Sequence, residues 1–418
     1  MIKVIKNGTV ITMDENRPMV EKIDIVINDN KIENLVTNYN GDADEIIDAT
    51  NKIVIPGLVN CHTHLGMSIF RATNDNLNLN DWLNKKIWPI EKNMTDEDIY
   101  YTTLLSCIEM IKTGSVVAND MYFGCKGSLK AIEDSKIRCL FGNNLIADKT
   151  EKIDELLDLI KKNKNNLVKF AVAPHSFYTC SKEYLKKCSD LALEYNLPLH
   201  IHFCENLNEV ENIKKNYGTI FNALKETGML RNKLILAHGT FIDEIEKFKD
   251  YDISIIHNPI SNLNLGCGIA NIVNYKKYIN IGLGTDGQGS GNNLNLFYHM
   301  SIVDLLQKGK YKNPTIYSSF DTLKLATING AKAIGMDNLI GSIEIGKCAD
   351  IVIIDLNNIE TYPTTQLITN LVHNTESINI DTTIINGEVL MKNHKLLLNI
   401  DINKLKEKID DINKRLKI

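Results

Sequence analysis

Two pairs of histidines stand out in the sequence because the members of each pair are two residues apart. His62 and His64 follow one apolar run, and His200 and His202 close another. Side chains two apart on a strand point to the same side, so each pair can direct both rings at one cation. Asp286 lies in a Gly-Thr-Asp-Gly turn after a further apolar run and adds a carboxylate. Three imidazoles and one carboxylate suit Zn²⁺ or another first-row cation, and a set without sulfur favours a catalytic over a structural site.

Spacing alone does not decide which of the two histidines in the second pair would be the ligand. Four further polar residues also follow apolar runs: His175, Glu205, His238 and His257. A single histidine at a strand end is more often a satisfied polar residue than a catalyst. Here these histidines would share a rim with the cation, so we include them as candidates.

Eight short apolar runs must position these residues. They are separated by helix-length segments, which predicts βαβ units and a parallel sheet. The eightfold count favours an α/β fold with a closed (β/α)₈ TIM-type barrel over residues 56–341, whose C-terminal strand ends carry the active site. The runs are Ile53–Val59, Ser115–Ala118, Cys139–Phe141, Phe170–Ala173, Leu197–Ile201, Leu234–Ala237, Ile253–Ile256 and Ile281–Leu283.

Both ends of the chain read as β structure, which predicts a small β-sandwich domain built from residues 1–55 and 342–418. Asn7-Gly8 between alternating apolar residues predicts a tight hairpin, and Ile384–Leu390 around a second Asn-Gly predicts another. The apolar spacing over 402–416 predicts a C-terminal helix that packs on the barrel or on a partner subunit.

Composition excludes several classes of protein. The chain has 418 residues, 44% of them hydrophobic, and a net charge of −5 without a basic block, so neither nucleic acid nor a membrane surface is expected as a partner. No apolar stretch is long enough for a signal peptide or a membrane span. The nine cysteines form no C-x-x-C pair, which favours free thiols and a cytoplasmic location.

The motifs, taken together, resemble the amidohydrolase superfamily. They are Pro-Gly-Leu-Val-Asn-Cys-His-Thr-His, His-Phe-Cys-Glu-Asn, Ala-His-Gly, His-Asn-Pro-Ile-Ser-Asn and Leu-Gly-Thr-Asp-Gly. The segment from Trp82 to Glu91 is similar to the cytosine/guanine/adenosine-type deaminase branch, that of the 5-methylthioadenosine/S-adenosylhomocysteine deaminases. The resemblance extends over nearly the whole chain.

This resemblance implies a role for each candidate. One metal, usually zinc, is held by His62, His64, His202 and Asp286, with His200 as a neighbour. Fe²⁺, Mn²⁺ or Co²⁺ would also suit this set. A single ion is expected because the fourth strand ends in Ala-Pro-His-Ser, whereas binuclear relatives have a lysine there.

The remaining candidates divide between catalysis and substrate binding. The resemblance implies that Glu205 shuttles protons and that His238 orients or deprotonates the attacking water, a step that Asp286 could share. Glu91 would hold ribose hydroxyls, and Trp82 and His175 would line the substrate pocket; His257 joins them from its position alone.

The expected activity is hydrolytic deamination of adenosines altered at the 5′ position, with a homo-oligomer as the expected assembly. Relatives active on S-adenosylhomocysteine carry arginines after the third strand, where this chain offers only Lys149 and Lys152. Lysine lacks the bidentate fork of arginine, so preference for that substrate stays open. The alternatives are deamination or dechlorination of guanine, cytosine or a triazine, and a non-catalytic barrel protein.

Overall fold

The computed structural model describes residues 1–17, 20–73 and 76–418. The strands of these residues are, in chain order, β1 (Ile2–Lys6), β2 (Thr9–Ile11), β3 (Val20–Lys22), β4 (Asp24–Asn28), β5 (Lys31–Val36), β6 (Glu45–Asp48), β7 (Ile53–Pro56), β8 (Leu58–Thr63), β9 (Ser115–Tyr122), β10 (Arg138–Leu145), β11 (Val168–Pro174), β12 (Leu199–Phe203), β13 (Leu234–His238), β14 (Ile253–His257), β15 (Asn280–Leu283), β16 (Ile351–Ile354), β17 (Ile380–Ile385), β18 (Glu388–Lys392) and β19 (Lys395–Leu396).

The α-helices of the same residues are α1 (Leu79–Trp82), α2 (Trp88–Glu91), α3 (Asp96–Lys112), α4 (Cys125–Ser135), α5 (Thr150–Lys162), α6 (Lys182–Glu194), α7 (Leu207–Tyr217), α8 (Ile220–Glu226), α9 (Pro259–Asn264), α10 (Ile272–Tyr275), α11 (Gln288–Gly291), α12 (Leu296–Tyr311), α13 (Ser319–Leu325), α14 (Ile328–Ala333), α15 (Leu367–Asn374) and α16 (Ile402–Leu416). A π-helical turn, Leu83–Ile87, joins α1 to α2, and short 3₁₀ turns lie at Leu65–Phe70, Met229–Arg231, Ile245–Phe248 and Ser377–Asn379.

Strands β8 to β15 form one eight-stranded sheet in which each strand lies beside its sequence neighbour. The pairs from β10 to β15 are parallel. The backbone amides of Thr285 and Asp286 donate to the carbonyl oxygen of His62 (3.2 and 3.0 Å), which joins the end of the last strand to the first. The predicted TIM-type barrel is confirmed.

The sequence dictates this alternation because buried strands and one-sided helices need different patterns. Strand β9 is buried at every position, as expected of a strand covered on both faces. Helix α6 instead buries Tyr184, Leu185, Cys188 and Leu191, which recur at helical spacing. The Ser181 hydroxyl caps this helix by accepting from the amide of Tyr184 (3.2 Å).

The first apolar run is divided between two sheets, which corrects the prediction of one strand over Ile53–Val59. Strand β7 belongs to a sheet outside the barrel, whereas β8 is the first barrel strand. The break falls at Gly57, where a Cβ atom would lie 2.4 Å from the side chain of Val116. Only glycine allows the backbone to pass so closely.

The strands from the two ends of the chain form the predicted sandwich. One sheet has the order β5-β4-β1-β6 and the other β19-β18-β17-β16-β7-β2-β3. Side chains of both sheets share one aliphatic core, which includes Ile5, Ile25, Val54, Ile351 and Ile384. The pairing of β16 with β7 brings the C-terminal part of the chain onto the N-terminal part.

The predicted hairpin at Asn7-Gly8 is wrong. Strand β1 pairs with β4 and β6, whereas β2 pairs with β3 and β7 in the other sheet. A type I′ turn needs positive φ at both central residues, and φ is positive at Asn7 (67°) but not at Gly8. The amide of Asn7 instead donates to the Asp24 carboxylate (3.1 Å), and the chain passes from one sheet to the other.

The chain divides into two compact units. One contains residues Met1–Asn60, Ile108–Val117 and Asn295–Asn399, and the other contains Cys61–Cys107, Ala118–Leu294 and Ile400–Ile418. The predicted helix α16 thus belongs to the second unit, where Ile412 joins an apolar cluster with Trp82 and Phe70. The domain limits at 56 and 341 stay a prediction.

Among the described residues, no helix combines the length and the apolar character that crossing a membrane requires.

Candidate metal centre and active-site pocket

Five predicted side chains converge where the barrel strands end. The ligand atoms of His62, His202, His238 and Asp286 all lie within 4.8 Å of one another. The Nε2 atom of His64 lies 3.1 Å from Nε2 of His202 and 3.0 Å from Oδ1 of Asp286. The four predicted ligands are therefore together, and His238 is in the same group.

Backbone carbonyl oxygens orient two of these rings. Nδ1 of His64 lies 2.5 Å from the carbonyl oxygen of Met121, and Nδ1 of His202 lies 2.9 Å from that of His175. A carbonyl oxygen only accepts, so each Nδ1 carries a proton and each Nε2 is the nitrogen that faces the centre. Such outer hydrogen bonds fix the tautomer and the orientation of metal-binding histidines.

Side chains orient the other two rings. Nδ1 of His238 donates to Oδ1 of Asn262 (2.8 Å), so its Nε2 is the free acceptor. Nδ1 of His62 lies 3.0 Å from Nε2 of His200, and the two nitrogens share one proton. His200 therefore lies behind His62, on the side away from the carboxylate of Asp286.

Asp286 uses its two oxygens differently. Oδ1 faces Nε2 of His62 (3.4 Å) and of His64 (3.0 Å), whereas Oδ2 accepts from the hydroxyls of Ser261 (2.7 Å) and Ser290 (2.6 Å). Burial would raise its pKa, but the hydrogen bonds from His62 and His64 outweigh burial and hold the pKa well below its usual range. Its φ of 61° lies in the left-handed region, and such strain clusters at functional sites.

The protonation states of the cluster suit a cation. Burial lowers the pKa of His62 to about 3 and holds that of His202 well below its usual range, so both rings are neutral. Burial also acts on His64, but the Asp286 carboxylate raises the pKa of that ring to about 9. A divalent cation would displace this proton, since metal ligands bind deprotonated. Once His64 has lost this proton, the neutral nitrogens and the one carboxylate oxygen of the cluster fit a divalent metal ion.

Glu205 lies beside this group as a carboxylic acid. It follows β12 directly after Cys204, whose φ is 50°. Its Oε1 lies 3.7 Å from Nδ1 of His238. Burial, followed by the negative charge of Asp286, raises the pKa of Glu205 to about 8, so it carries a proton at neutral pH. A buried acid with a raised pKa in a cleft is typical of a proton donor.

An inner pocket with a cavity volume of about 60 Å³ adjoins the cluster. Most of the predicted site residues line it, namely His64, Trp82, Glu91, His175, His202, Glu205, His238 and Asp286. Two predicted residues do not: His62 is fully buried behind the lining, and His257 closes β14 without reaching the described part of it. The substrate role given to His257 stays a prediction.

Glu91 and Trp82 face this pocket from the segment that contains the π-helical turn. The Tyr122 hydroxyl donates to Oε1 of Glu91 (2.7 Å), and burial raises the pKa of Glu91 to about 7 despite this bond. The indole nitrogen of Trp82 is buried and has no hydrogen-bond partner within the described residues. A carboxylate and an indole donor are thus available to a polar ligand.

Sequence reasoning missed the residues that hold the site residues in place. Ser261 and Asn262 lie in the quoted His-Asn-Pro-Ile-Ser-Asn motif, which could have indicated them. Glu209 is one helical turn after Glu205, and its Oε2 accepts from the amide of Glu205 (2.9 Å). Tyr122 at the end of β9 carried no comparable signal.

The sequence of this chain is similar to those of known proteins. The sequence profile described as Amidohydrolase family matches residues 53–390. The chain is 39% identical over 416 residues to a 5-methylthioadenosine/S-adenosylhomocysteine deaminase of Thermoanaerobacter pseudethanolicus, with 96% of each chain covered. It is 40% identical over 403 residues to a 5′-deoxyadenosine deaminase of Methanococcus aeolicus, with 92% of this chain and 93% of the relative covered.

A solved structure gives the same result for the fold. An adenosine deaminase from Xanthomonas campestris with bound zinc superimposes with a TM-score of 0.94 at 27% identity, and the match covers 99% of this chain and 98% of that one.

Proposed function

The chain belongs to the amidohydrolase family, and on that premise we propose that it is a metal-dependent deaminase of adenosines altered at the 5′ position. The observation that carries this proposal is the presence of a buried Glu205 beside the His and Asp cluster in one pocket. The names of the two curated relatives, which specify the same class of substrate, support it.

We propose zinc as the metal, held by His62, His64, His202 and Asp286. The zinc in the similar adenosine deaminase structure supports this identity, although Fe²⁺, Mn²⁺ or Co²⁺ would also suit nitrogen and oxygen ligands. When bound, the ion supplies Lewis acidity that lowers the pKa of water toward about 7.

The reaction replaces the 6-amino group of adenine with oxygen: water adds to C6, and the bond from C6 to the exocyclic nitrogen breaks. The amino group leaves as ammonia with one proton of the attacking water, and the remaining hydroxyl proton restores Glu205 as the C6 carbonyl forms. Glu205 carries the proton that the ring nitrogen gains as the ring loses its aromaticity. In this proposal Nε2 of His238 orients the water and takes its proton; the hydrogen bond from Nδ1 of His238 to Asn262 supports this role, because it leaves Nε2 as the acceptor. Asp286 is the alternative acceptor, although Oδ2 already accepts from two hydroxyls.

Glu91 favours a nucleoside over a free base. A carboxylate can accept hydrogen bonds from both ribose hydroxyls, and a free base offers no such pair. Because the inner cavity holds only about 60 Å³, we expect the side chains of Trp82 and Leu83 to shift outward when the purine enters. The same cluster could also act on guanine, cytosine or a triazine, so the choice depends on Glu91 rather than on the metal ligands.

A deamination screen tests the proposal. Adenosine, 5′-deoxyadenosine, 5′-methylthioadenosine and S-adenosylhomocysteine are compared with free adenine, guanine, cytosine and a chlorotriazine, each by its change in ultraviolet absorbance. We expect turnover of the ribosides and little of the bases. Turnover restricted to free bases or to the triazine would refute the riboside assignment.

Metal analysis separates an enzyme from a non-catalytic barrel. Protein purified without chelator should contain about one divalent ion per chain. A content well below one that added Zn²⁺ does not restore would favour a scaffold protein.

We also propose a reducing compartment, the cytoplasm, as the place where the chain works. All nine cysteines are buried and none forms a disulfide within the described residues, which supports this location. Titration of the denatured protein should find nine reactive thiols without prior reduction.

A further inference from the structure

A second and larger cavity adjoins the inner pocket. Its volume is about 450 Å³, and it shares Leu79, Leu83, Trp88 and Tyr178 with the lining of the inner pocket. We call it the outer cavity. In the proposed function the purine of the substrate lies against Glu205 and its ribose lies against Glu91. The substituent at the 5′ position is then the part of the substrate that can extend into the outer cavity.

The polar lining of the outer cavity is almost entirely uncharged. Five of its side chains are asparagines, namely Asn80, Asn84, Asn206, Asn208 and Asn212. Among the described residues that line the outer cavity, Glu209 is the only Asp, Glu, Lys or Arg. No cation is therefore present among them to receive an anionic substituent.

The two lysines that the sequence offered as partners for a substrate carboxylate do not supply a cation to the outer cavity. Lys152 pairs with Glu155 (2.8 Å), Lys149 is exposed at the start of α5, and neither is part of the described lining. A carboxylate entering the outer cavity would lose water without gaining a positive partner, which is costly.

Glu209 has one oxygen engaged and one available. Oε2 accepts from the amide of Glu205 (2.9 Å), whereas Oε1 has no hydrogen-bond partner within the described residues. The side chain is only 3% exposed, so this oxygen cannot rely on bulk solvent. A buried acceptor without a partner is unfavourable unless a ligand or an ordered water donates to it.

We propose that the outer cavity receives the 5′ substituent and that Glu209 selects a substituent ending in an amine or another hydrogen-bond donor over one ending in a lone carboxylate. This inference rests on the proposed function and names its specificity-determining residue. Burial raises the pKa of Glu209 to about 8, so near neutral pH the group can give its proton to a neutral amine or ionise beside an ammonium. Either route ends in an ammonium–carboxylate pair.

Two matched substrates test the proposal. Both are 5′-thioethers of adenosine with side chains of equal length, one ending in an amine and the other in a carboxylate; 5′-deoxyadenosine is the reference. For the unaltered enzyme we expect kcat/KM to be at least about tenfold higher for the amine, as expected of a charge-assisted hydrogen bond.

Substitutions in and near the outer cavity identify the residue responsible. Glu209→Gln keeps an oxygen for the Glu205 amide but turns an amide donor toward the cavity, so the amine-to-carboxylate ratio should fall about tenfold. Glu211→Gln makes the same charge change at an exposed position of α7 and should leave the ratio unchanged. If Glu209→Gln unfolds, Asn212→Lys places a cation at the cavity and should raise kcat/KM for the carboxylate substrate.

The outcomes separate this inference from the proposed function. Turnover of 5′-deoxyadenosine with an amine-to-carboxylate ratio near one, or a ratio that neither Glu209→Gln nor Asn212→Lys alters, overturns the role of Glu209 and leaves the deaminase standing. Absence of turnover with every adenosine derivative overturns the deaminase and this inference with it.

Discussion

The inner pocket and the outer cavity are neighbours with opposite chemistry. The inner pocket gathers ionisable side chains, and several have a fixed partner, as His64 has the Met121 carbonyl and His238 has Asn262. The outer cavity is lined by neutral amides and apolar side chains, with Glu209 as its one carboxyl group in the described lining. One region is rich in ionisable groups, whereas the other is larger and nearly free of them.

This difference separates reaction type from substrate preference. Holding a cation and moving a proton need exact orientation, which the hydrogen bonds to Nδ1 atoms supply. Accommodating a variable substituent needs volume and a few polar groups that fix its charge. Substitutions of the proposed metal ligands and of Glu205 should therefore reduce turnover of every substrate, and substitutions in the outer cavity should change the ranking of substrates.

Substitution of a proposed metal ligand should reduce turnover more than any other substitution. His202→Asn removes an imidazole whose Nε2 lies 3.1 Å from that of His64, so the ion should be lost and turnover of all substrates should fall to background. Metal content and deamination are measured on the same preparation. His394→Asn, at an exposed histidine, is the matched control. A metal content that stays at about one ion per chain would remove His202 from the ligand set.

Loss of the proton donor should be the next largest effect. Glu205→Gln should retain the metal but lower kcat by about 10² to 10⁴, the usual range for a general acid. The loss should be the same for substrates with and without a 5′ substituent, because Glu205 acts on the ring. Glu211→Gln is the control for the charge change. Turnover equal to that of the unaltered enzyme would show that another group supplies the proton.

The sequence predicted the barrel because its signals are local. Fully buried strands produce apolar runs, and polar residues directly after such runs fall on one rim whatever the loops do. Glu205 and Asp286 were found in this way. The criterion gives the end of the strand and not the direction of the side chain, and His257, which also satisfied it, is not among the described residues that line the inner pocket.

The two Asn-Gly dipeptides show where local signals fail. Asn386-Gly387 has positive φ at both residues (52° and 77°) and joins β17 to β18 as predicted. Asn7-Gly8 lies between similar residues, but its neighbours pair with different sheets. The choice depends on distant partners such as Asp24, which local pattern does not contain. Asn262 and Glu209 were missed for the same reason, since their importance depends on which atom of a remote residue they contact.

Substitution of Asn262, which orients His238, should reduce turnover less than substitution of Glu205. Asn262→Leu removes the acceptor of the Nδ1 proton while keeping a similar volume, and should lower kcat about 10- to 100-fold, as is typical for such outer partners. Asn262→Asp retains an acceptor and should restore part of the rate. A purely structural role would instead make the two variants equally slow and equally unstable, which thermal unfolding would reveal.

The smallest effect concerns Glu91, which lines the inner pocket. Burial raises its pKa to about 7, so the carboxyl is protonated below that pH and ionised above it. Only the ionised form can accept from both ribose hydroxyls, so kcat/KM for a riboside should rise as the pH passes upward through about 7. Replacing a neutral acceptor with a charged one should give an increase of about fivefold.

The control for this prediction is a substrate without ribose hydroxyls. A 2′,3′-dideoxyadenosine lacks both hydroxyls but meets the same Glu205, so the ratio of the two kcat/KM values cancels any titration of the proton donor. The ratio should rise across neutral pH in the unaltered enzyme and stay flat in Glu91→Gln. A ratio that is flat in both would mean that the ribose hydroxyls are held elsewhere, and the preference for nucleosides over free bases would then lose its physical basis in Glu91.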